Sequence, residues 1–238
     1  MYDNANYEVN AQSSSRKLAL CIANVYWWMT FALLITAVTA YMVGTSRELL
    51  KLFVLNRGVF FILALIELGL VFWISAGIRK MSASTATALF VLYAAVNGLT
   101  LSAIFAAYSL QALAVTFTVT AGTFGATALV GTVIKKDLSR FGGILLMALI
   151  GLIIASLVNM FWYNRTADLI ISYIGVLLFV GLTAWDVQKI KLLAMECAAG
   201  AIDRREAKKY AILGALELYL DFINLFIFIL RIVNGGRK

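Results

Sequence analysis

The chain has 238 residues, 63% of them apolar and only 13% charged, with a mean hydropathy of +0.92. Soluble domains are about half apolar and about a quarter charged, so a soluble fold is excluded; at ~20 apolar residues per spanning helix, the length holds seven spans and no second, soluble domain. The formal net charge of +8 would suggest nucleic acid in a soluble protein, but in a membrane protein basic residues mark cytoplasmic loops, and no nucleic-acid partner is expected.

Two absences narrow the chemistry. With no histidine there is no imidazole for a zinc site, a catalytic base or a pH switch, so proton sensing near neutrality falls to carboxylates in unusual surroundings. No paired nucleophile and base stands out either, and neither an enzyme nor a cofactor is expected. With no proline, any helix break must come from glycine or a polar insertion. Cys21 falls in the first apolar run and Cys197 in a basic loop, which argues against a structural disulfide.

Residues 1–17 (MYDNANYEVNAQSSSRK) form a polar tail, followed by an apolar run at 18–43. That run is too long for a signal-peptide core and reads as a retained anchor. Six further runs follow at about 59–78, 87–107, 110–134, 141–161, 169–194 and 211–230. All are continuous and of helix-spanning length rather than the short alternating segments of a membrane β-barrel. The predicted fold class is therefore an all-α integral membrane protein with seven transmembrane helices in a single domain, 18–238. Only Tyr108 and Ser109 separate the third and fourth runs, which predicts a tight turn. In the fourth, Ala121, Gly125, Ala128 and Thr132 share one face small enough for close helix packing. The sixth run turns polar at Asp186 and is expected to continue past the bilayer core as an amphipathic end.

Lys and Arg outside the spans number two in the N-tail, then three, two, none, three, one and six in successive loops, and three in the C-tail. With seven crossings the N-tail's side holds thirteen and the other side seven, so the N-terminus is predicted to be cytoplasmic. A re-entrant last segment would sharpen the contrast to sixteen against four, but its length of about 20 residues allows a full span.

Four of the twelve acids lie inside the runs: Glu67 in the second, Asp186 in the sixth, Glu217 and Asp221 in the seventh. Intramembrane charges cost several kcal/mol unless paired or hydrated, which makes each a candidate functional group. No basic residue is near enough in sequence to stand out as a neutralising partner, so protonation, water or a cation is expected to take that role. Glu217, Asp221 and Asn224 fall within an arc of about 60° at ~100° per residue, an oxygen-rich stripe on an otherwise apolar helix. Asp221 lies roughly 15 Å in from one end of its run, and Asp186 roughly 12 Å in from the same side, at ~1.5 Å per residue. The two can therefore meet. Two carboxylates sharing a low-dielectric site cannot both ionise cheaply and titrate as a coupled pair. Oxygen ligands suit Ca²⁺, Mg²⁺ or H⁺, while a tight calcium site wants six to eight of them; weak Ca²⁺ transit is expected rather than a tightly bound metal. A plainer reading, strongest for Glu67, makes each acid a neutral hydrogen-bonded link between helices. Asp186, next to the interface-type residue Trp185, has a second plain reading as a helix end.

The segments LELYLDFINLFIFILR (216–231), AWDVQKIK (184–191), NGLTL (97–101) and GTVIKKDLS (131–139), in order over nearly the whole chain, resemble the bacterial branch of the transmembrane Bax inhibitor motif family. The resemblance implies two three-helix layers around a central C-terminal helix and a pH-sensitive calcium leak in a bacterial inner membrane. It places the family's pH-sensing aspartate pair at Asp186 and Asp221, its second-helix acid at Glu67 and its basic latch near Arg79. Ser102 and Ala103 stand where the pattern has a proline, and Glu217 where related sequences carry a small polar residue. Glu217 is thus expected to add negative charge one turn from Asp221 and to move the pH midpoint of flux. The alternative function is a non-conducting regulator that binds another membrane protein, such as a protease, through residues 1–17 and the basic stretch DRREAKK (203–209).

Overall fold

The computed structural model describes residues 2–134 and 136–235, with side chains from residue 15 onward except that of Arg204. Lys135, Arg237 and Lys238 of the charge count, and the side chains of the tail before residue 15, lie outside the described residues. The described residues form helices α1 (Tyr2–Thr45), α2 (Arg47–Leu50), α3 (Arg57–Gly77), α4 (Ala83–Ala107), α5 (Leu110–Val133), α6 (Ser139–Phe161), α7 (Arg165–Ala198) and α8 (Arg204–Gly235), with a π-turn at Lys51–Leu55 and no strand. All but the four-residue α2 are long and apolar enough to cross a membrane. The protein is an all-α integral membrane protein with seven such helices.

Local chemistry sets the helix boundaries. Asn56 Oδ1 accepts from the amides of Gly58 and Val59 at 3.1 and 3.3 Å and starts α3. Ser82 Oγ takes the Thr85 amide at 3.1 Å ahead of α4, and Ser109 Oγ the Ala112 amide at 3.3 Å ahead of α5. Each satisfies a donor that the first helical turn leaves open. The α4 to α5 connection is the two residues Tyr108 and Ser109, as the run spacing predicts. Ahead of α6, the Ser139 amide donates to the exposed Asp137 at 2.9 Å and holds that carboxyl below the usual carboxylate range.

Two helices differ from the sequence reading. The basic stretch 203–209 is not a loop: from Arg204 onward it forms the first turns of α8. Asp203 precedes those turns with Glu206 three residues later, the acidic pattern favoured at a helix start. Helix α7 does not end at Asp186 but runs on to Ala198, and its 34 residues are about 51 Å long, well beyond the ~30 Å of a bilayer core. The helix-end reading of Asp186 is thereby replaced by the amphipathic extension. Helix α8 is unbroken over 32 residues, with no turn at which it would re-enter. In its most apolar stretch 61% of the residues are buried, against 11% to 39% in the other six helices.

The chain divides into two compact units. The first holds α1 to α4 with residues 190–219; the second holds α5, α6 and α7 up to Lys189, with residues from 220 onward. In the first, α1 and α4 approach at Gly98, where a Cβ would lie 2.8 Å from the Thr36 carbonyl and 2.7 Å from Thr39 Cβ. Only a glycine permits that backbone approach. Tyr219 of α8 packs edge-on against Phe90 and Tyr93 of α4, with ring centroids 5.8 and 5.7 Å away.

The second unit corrects the small-residue face assigned to α5. Ala121 is exposed and nothing lies within 4 Å of a Cβ built on Gly125. The packed face is rotated, through Thr116, Thr120, Phe124, Thr127, Ala128 and Gly131. Each of its threonines donates its hydroxyl to the carbonyl four residues back at 2.8 Å, and so packs as a small apolar residue. Phe124 meets Phe222 of α8 at 5.5 Å, and Gly131 lets α5 reach the Ala184 backbone of α7.

Candidate functional site

Asp186 and Asp221 come together in the second unit. Asp186 is 6% exposed and Asp221 4%, and their carboxyls face one another. Ionised carboxylates only accept, so a bond between two of them requires a proton on one. The sequence places them 35 positions apart on different helices, and the expectation that the two can meet is what the fold realises.

The expectation that no basic residue neutralises this interior is corrected by Lys189. Its Nζ lies 2.7 Å from Asp186 Oδ1 and 4.4 Å from the centroid of the Trp185 ring. A lysine one turn along a helix reaches back over its own four-carbon stem, so the i, i+3 spacing was the available signal. Trp185 is fixed in turn by Gly142 of α6, where a Cβ would come within 2.4 Å of the indole. Gln188 anchors the same stretch of α7 to the α5–α6 connection, accepting the Leu138 amide at 2.8 Å and donating to the Lys136 carbonyl at 3.0 Å. Asp186 therefore sits on a stretch of α7 anchored through Trp185 and Gln188.

The other two members of the stripe on α8 are not equivalent to Asp221. Glu217 and Asn224 are half-buried, and the Asn224 amide donates to the Leu220 carbonyl of its own helix at 2.8 Å. Glu217 belongs to the first unit, Asp221 and Asn224 to the second.

Glu67 forms a separate polar site in the first unit. Its Oε1 accepts from the Thr100 hydroxyl at 2.6 Å and its Oε2 from the Asn97 amide at 3.1 Å, linking α3 to α4. Asn97 Oδ1 accepts from the Tyr219 hydroxyl at 2.9 Å, which also meets Thr36 Oγ1 of α1 at 2.6 Å. Four helices thus share one hydrogen-bonded chain. Glu67 is an inter-helix link, as its plainer reading had it; the Thr100 hydroxyl, with one proton, lies in hydrogen-bond reach of both Glu67 Oε1 and the Asn97 carbonyl. Asn97 and Thr100 share a helix face by i, i+3 spacing within NGLTL, a signal the sequence reading used only for resemblance. Arg79 is exposed beyond α3, and its backbone carbonyl accepts from Lys209 Nζ at 3.2 Å.

Among the described residues no three His, Cys, Asp or Glu side chains are grouped closely enough to hold a metal ion. The interior thus offers a buried carboxyl pair and a hydrogen-bonded glutamate, each in its own unit.

The sequence profile described as inhibitor of apoptosis-promoting Bax1 matches residues 18–238. The chain belongs to this Bax inhibitor family. Among its relatives in the family is the inner membrane protein YbhL of Escherichia coli K12, 49% identical over 220 residues that cover 91% of this chain and 92% of YbhL. An uncharacterised protein of Deinococcus radiodurans is 45% identical over 214 residues, 90% of each chain, and one of Borreliella burgdorferi is 42% identical over 218 residues, 91% and 92% respectively. The Bax inhibitor match takes in all seven membrane helices and begins where the polar tail gives way to the first apolar run.

Proposed function

We propose that this Bax inhibitor family protein is a pH-sensitive cation leak, chiefly for Ca²⁺, gated by protonation of the Asp186 and Asp221 pair. The observation that carries the reading is the pair itself: two almost fully buried carboxyls on different membrane helices, facing each other where they can share one proton, with the Lys189 ammonium 2.7 Å from Asp186. With the proton in place, the two acids and Lys189 sum to zero charge. Without it they carry one net negative charge, and two like charges at hydrogen-bond distance in a low-dielectric interior repel strongly. Loss of the proton thus favours either separation of α7 from α8 or entry of a cation, a two-state population set by pH. Two carboxylates bind a hard cation weakly, which suits transit rather than storage. The protein is no enzyme in this reading, and it lies in a bacterial inner membrane with its N-terminus cytoplasmic, in keeping with the inner-membrane name of its Escherichia coli relative.

The test is Ca²⁺ flux into proteoliposomes between about pH 5 and pH 8, with the pair titrating as one coupled unit. Wild type is expected to show a several-fold change across that window and the Asp186→Asn, Asp221→Asn double variant a flat profile. A double variant that keeps the wild-type profile removes the gate, and wild-type vesicles no leakier than empty ones remove conduction altogether in favour of a regulator that binds other membrane proteins.

A further inference from the structure

The two cysteines are 176 positions apart, Cys21 in α1 and Cys197 in the last turn of α7, yet their Sγ atoms lie 2.8 Å from each other and both are free thiols. A disulfide bond measures ~2.05 Å, so an approach of less than ~1 Å separates contact from bond. Both residues belong to the first unit. Cys197 is held by the way α7 stops: Gly200 takes φ +77°, its amide bonds to the Cys197 carbonyl at 3.1 Å, and the Ala201 amide bonds to the Glu196 carbonyl at 3.0 Å. That is the paired closure of a Schellman turn, which needs a glycine at the left-handed position. The thiols are half-buried and line a cavity of about 330 Å³ together with Asn24, Leu193, Lys208 and Tyr210. A small reagent has room to reach them, and neither belongs to the acidic sites.

We propose that Cys21 and Cys197 are a reversible redox site, which a low-molecular-weight disulfide oxidises to an intramolecular bond joining the middle of α1 to the last turn of α7. One cysteine thiolate attacks a sulfur of R–S–S–R; that bond breaks, RS⁻ leaves and takes up the proton lost by the attacking thiol. The second cysteine then attacks the mixed disulfide, the Cys21–Cys197 bond forms, and the second RS⁻ leaves with its proton. Two protein thiols lose two electrons and two protons, and one small disulfide becomes two thiols. The site stands independently of the proposed leak.

The experiment treats the full chain, in detergent or nanodiscs, with hydroxyethyl disulfide at mildly alkaline pH. Expected are a mass lower by two hydrogens, loss of both maleimide-reactive thiols with full recovery on reduction, and a peptide containing both cysteines. The chain has two cysteines, so wild type alone decides. Thiols that stay reactive, adducts that remain on each cysteine without cross-linking, or a bond formed only between two chains would each overturn the proposal. Cys197→Ser is expected to stop at a mixed disulfide on Cys21.

Discussion

The Lys189 ammonium lies between the Asp186 carboxylate and the face of Trp185, and its side chain is 32% exposed while that of Asp186 is 8%. The lysine supplies a positive charge to a buried acid without being buried itself, so most of its desolvation cost is avoided. It also favours the ionised pair, since a nearby opposite charge stabilises a carboxylate. Replacing it by methionine keeps the stem and removes the charge. In Lys189→Met the pH midpoint of Ca²⁺ flux is expected to move upward by about one unit or less, the small size following from partial solvent screening; an unmoved midpoint would show that the lysine does not address the pair. At the Glu67 site, Tyr219→Phe removes the donor to Asn97 Oδ1 and a partner of Thr36. Leaving a buried acceptor open costs ~1–3 kcal/mol, so this variant should unfold in detergent at a clearly lower temperature. Depth along each run made Asp186 and Asp221 legible as a pair. Lys189 was passed over because it was counted with the surface charges, and Tyr219 because a tyrosine in an apolar run carries no mark of its hydroxyl's partner.

Glycine positions separate the helices' packed faces from their open ones. A Cβ on Gly131 would lie 2.7 Å from the Ala184 carbonyl oxygen, a backbone atom that cannot turn aside, whereas one on Gly125 of the same helix meets nothing within 4 Å. Gly131→Ala is therefore expected to destabilise the protein by ~1–3 kcal/mol through overpacking, while Gly125→Ala should be neutral or stabilising by up to ~1 kcal/mol, since alanine is the better helix former. Thermal unfolding of the two variants in one detergent makes the comparison. A reversed order would restore the face through Ala121 and Gly125. Small residues in the sequence mark where a close approach is possible; which of them is used depends on Phe124 and Phe222 interlocking, and those two come from different helices. The run boundaries, by contrast, were legible to within a few residues for α3 to α6, because caps such as Asn56 and Ser109 and the ends of hydrophobicity are local properties.

For the whole molecule, the proposed topology, seven crossings with the basic excess on the cytoplasmic side, has the N-terminus in the cytoplasm and the C-terminus outside. Alkaline phosphatase fused after α8 should be active and a fluorescent protein fused at the same point dark in bacterial cells; the opposite result would put both termini on one side and mean that α8 does not cross. The sequence by itself determined the solvent and the architecture, since seven apolar stretches of spanning length have no stable alternative to membrane helices, and it confined chemistry to a few interior acids. Tertiary structure decided which groups meet: the Asp186 and Asp221 carboxyls beside Lys189, a hydrogen-bonded chain from Glu67 to Thr36, and two thiols 2.8 Å apart. Hydrophobic length is additive along a chain and survives any packing. Proximity between residues tens to hundreds of positions apart depends on the rotation and depth of whole helices, which side chains on several helices set together.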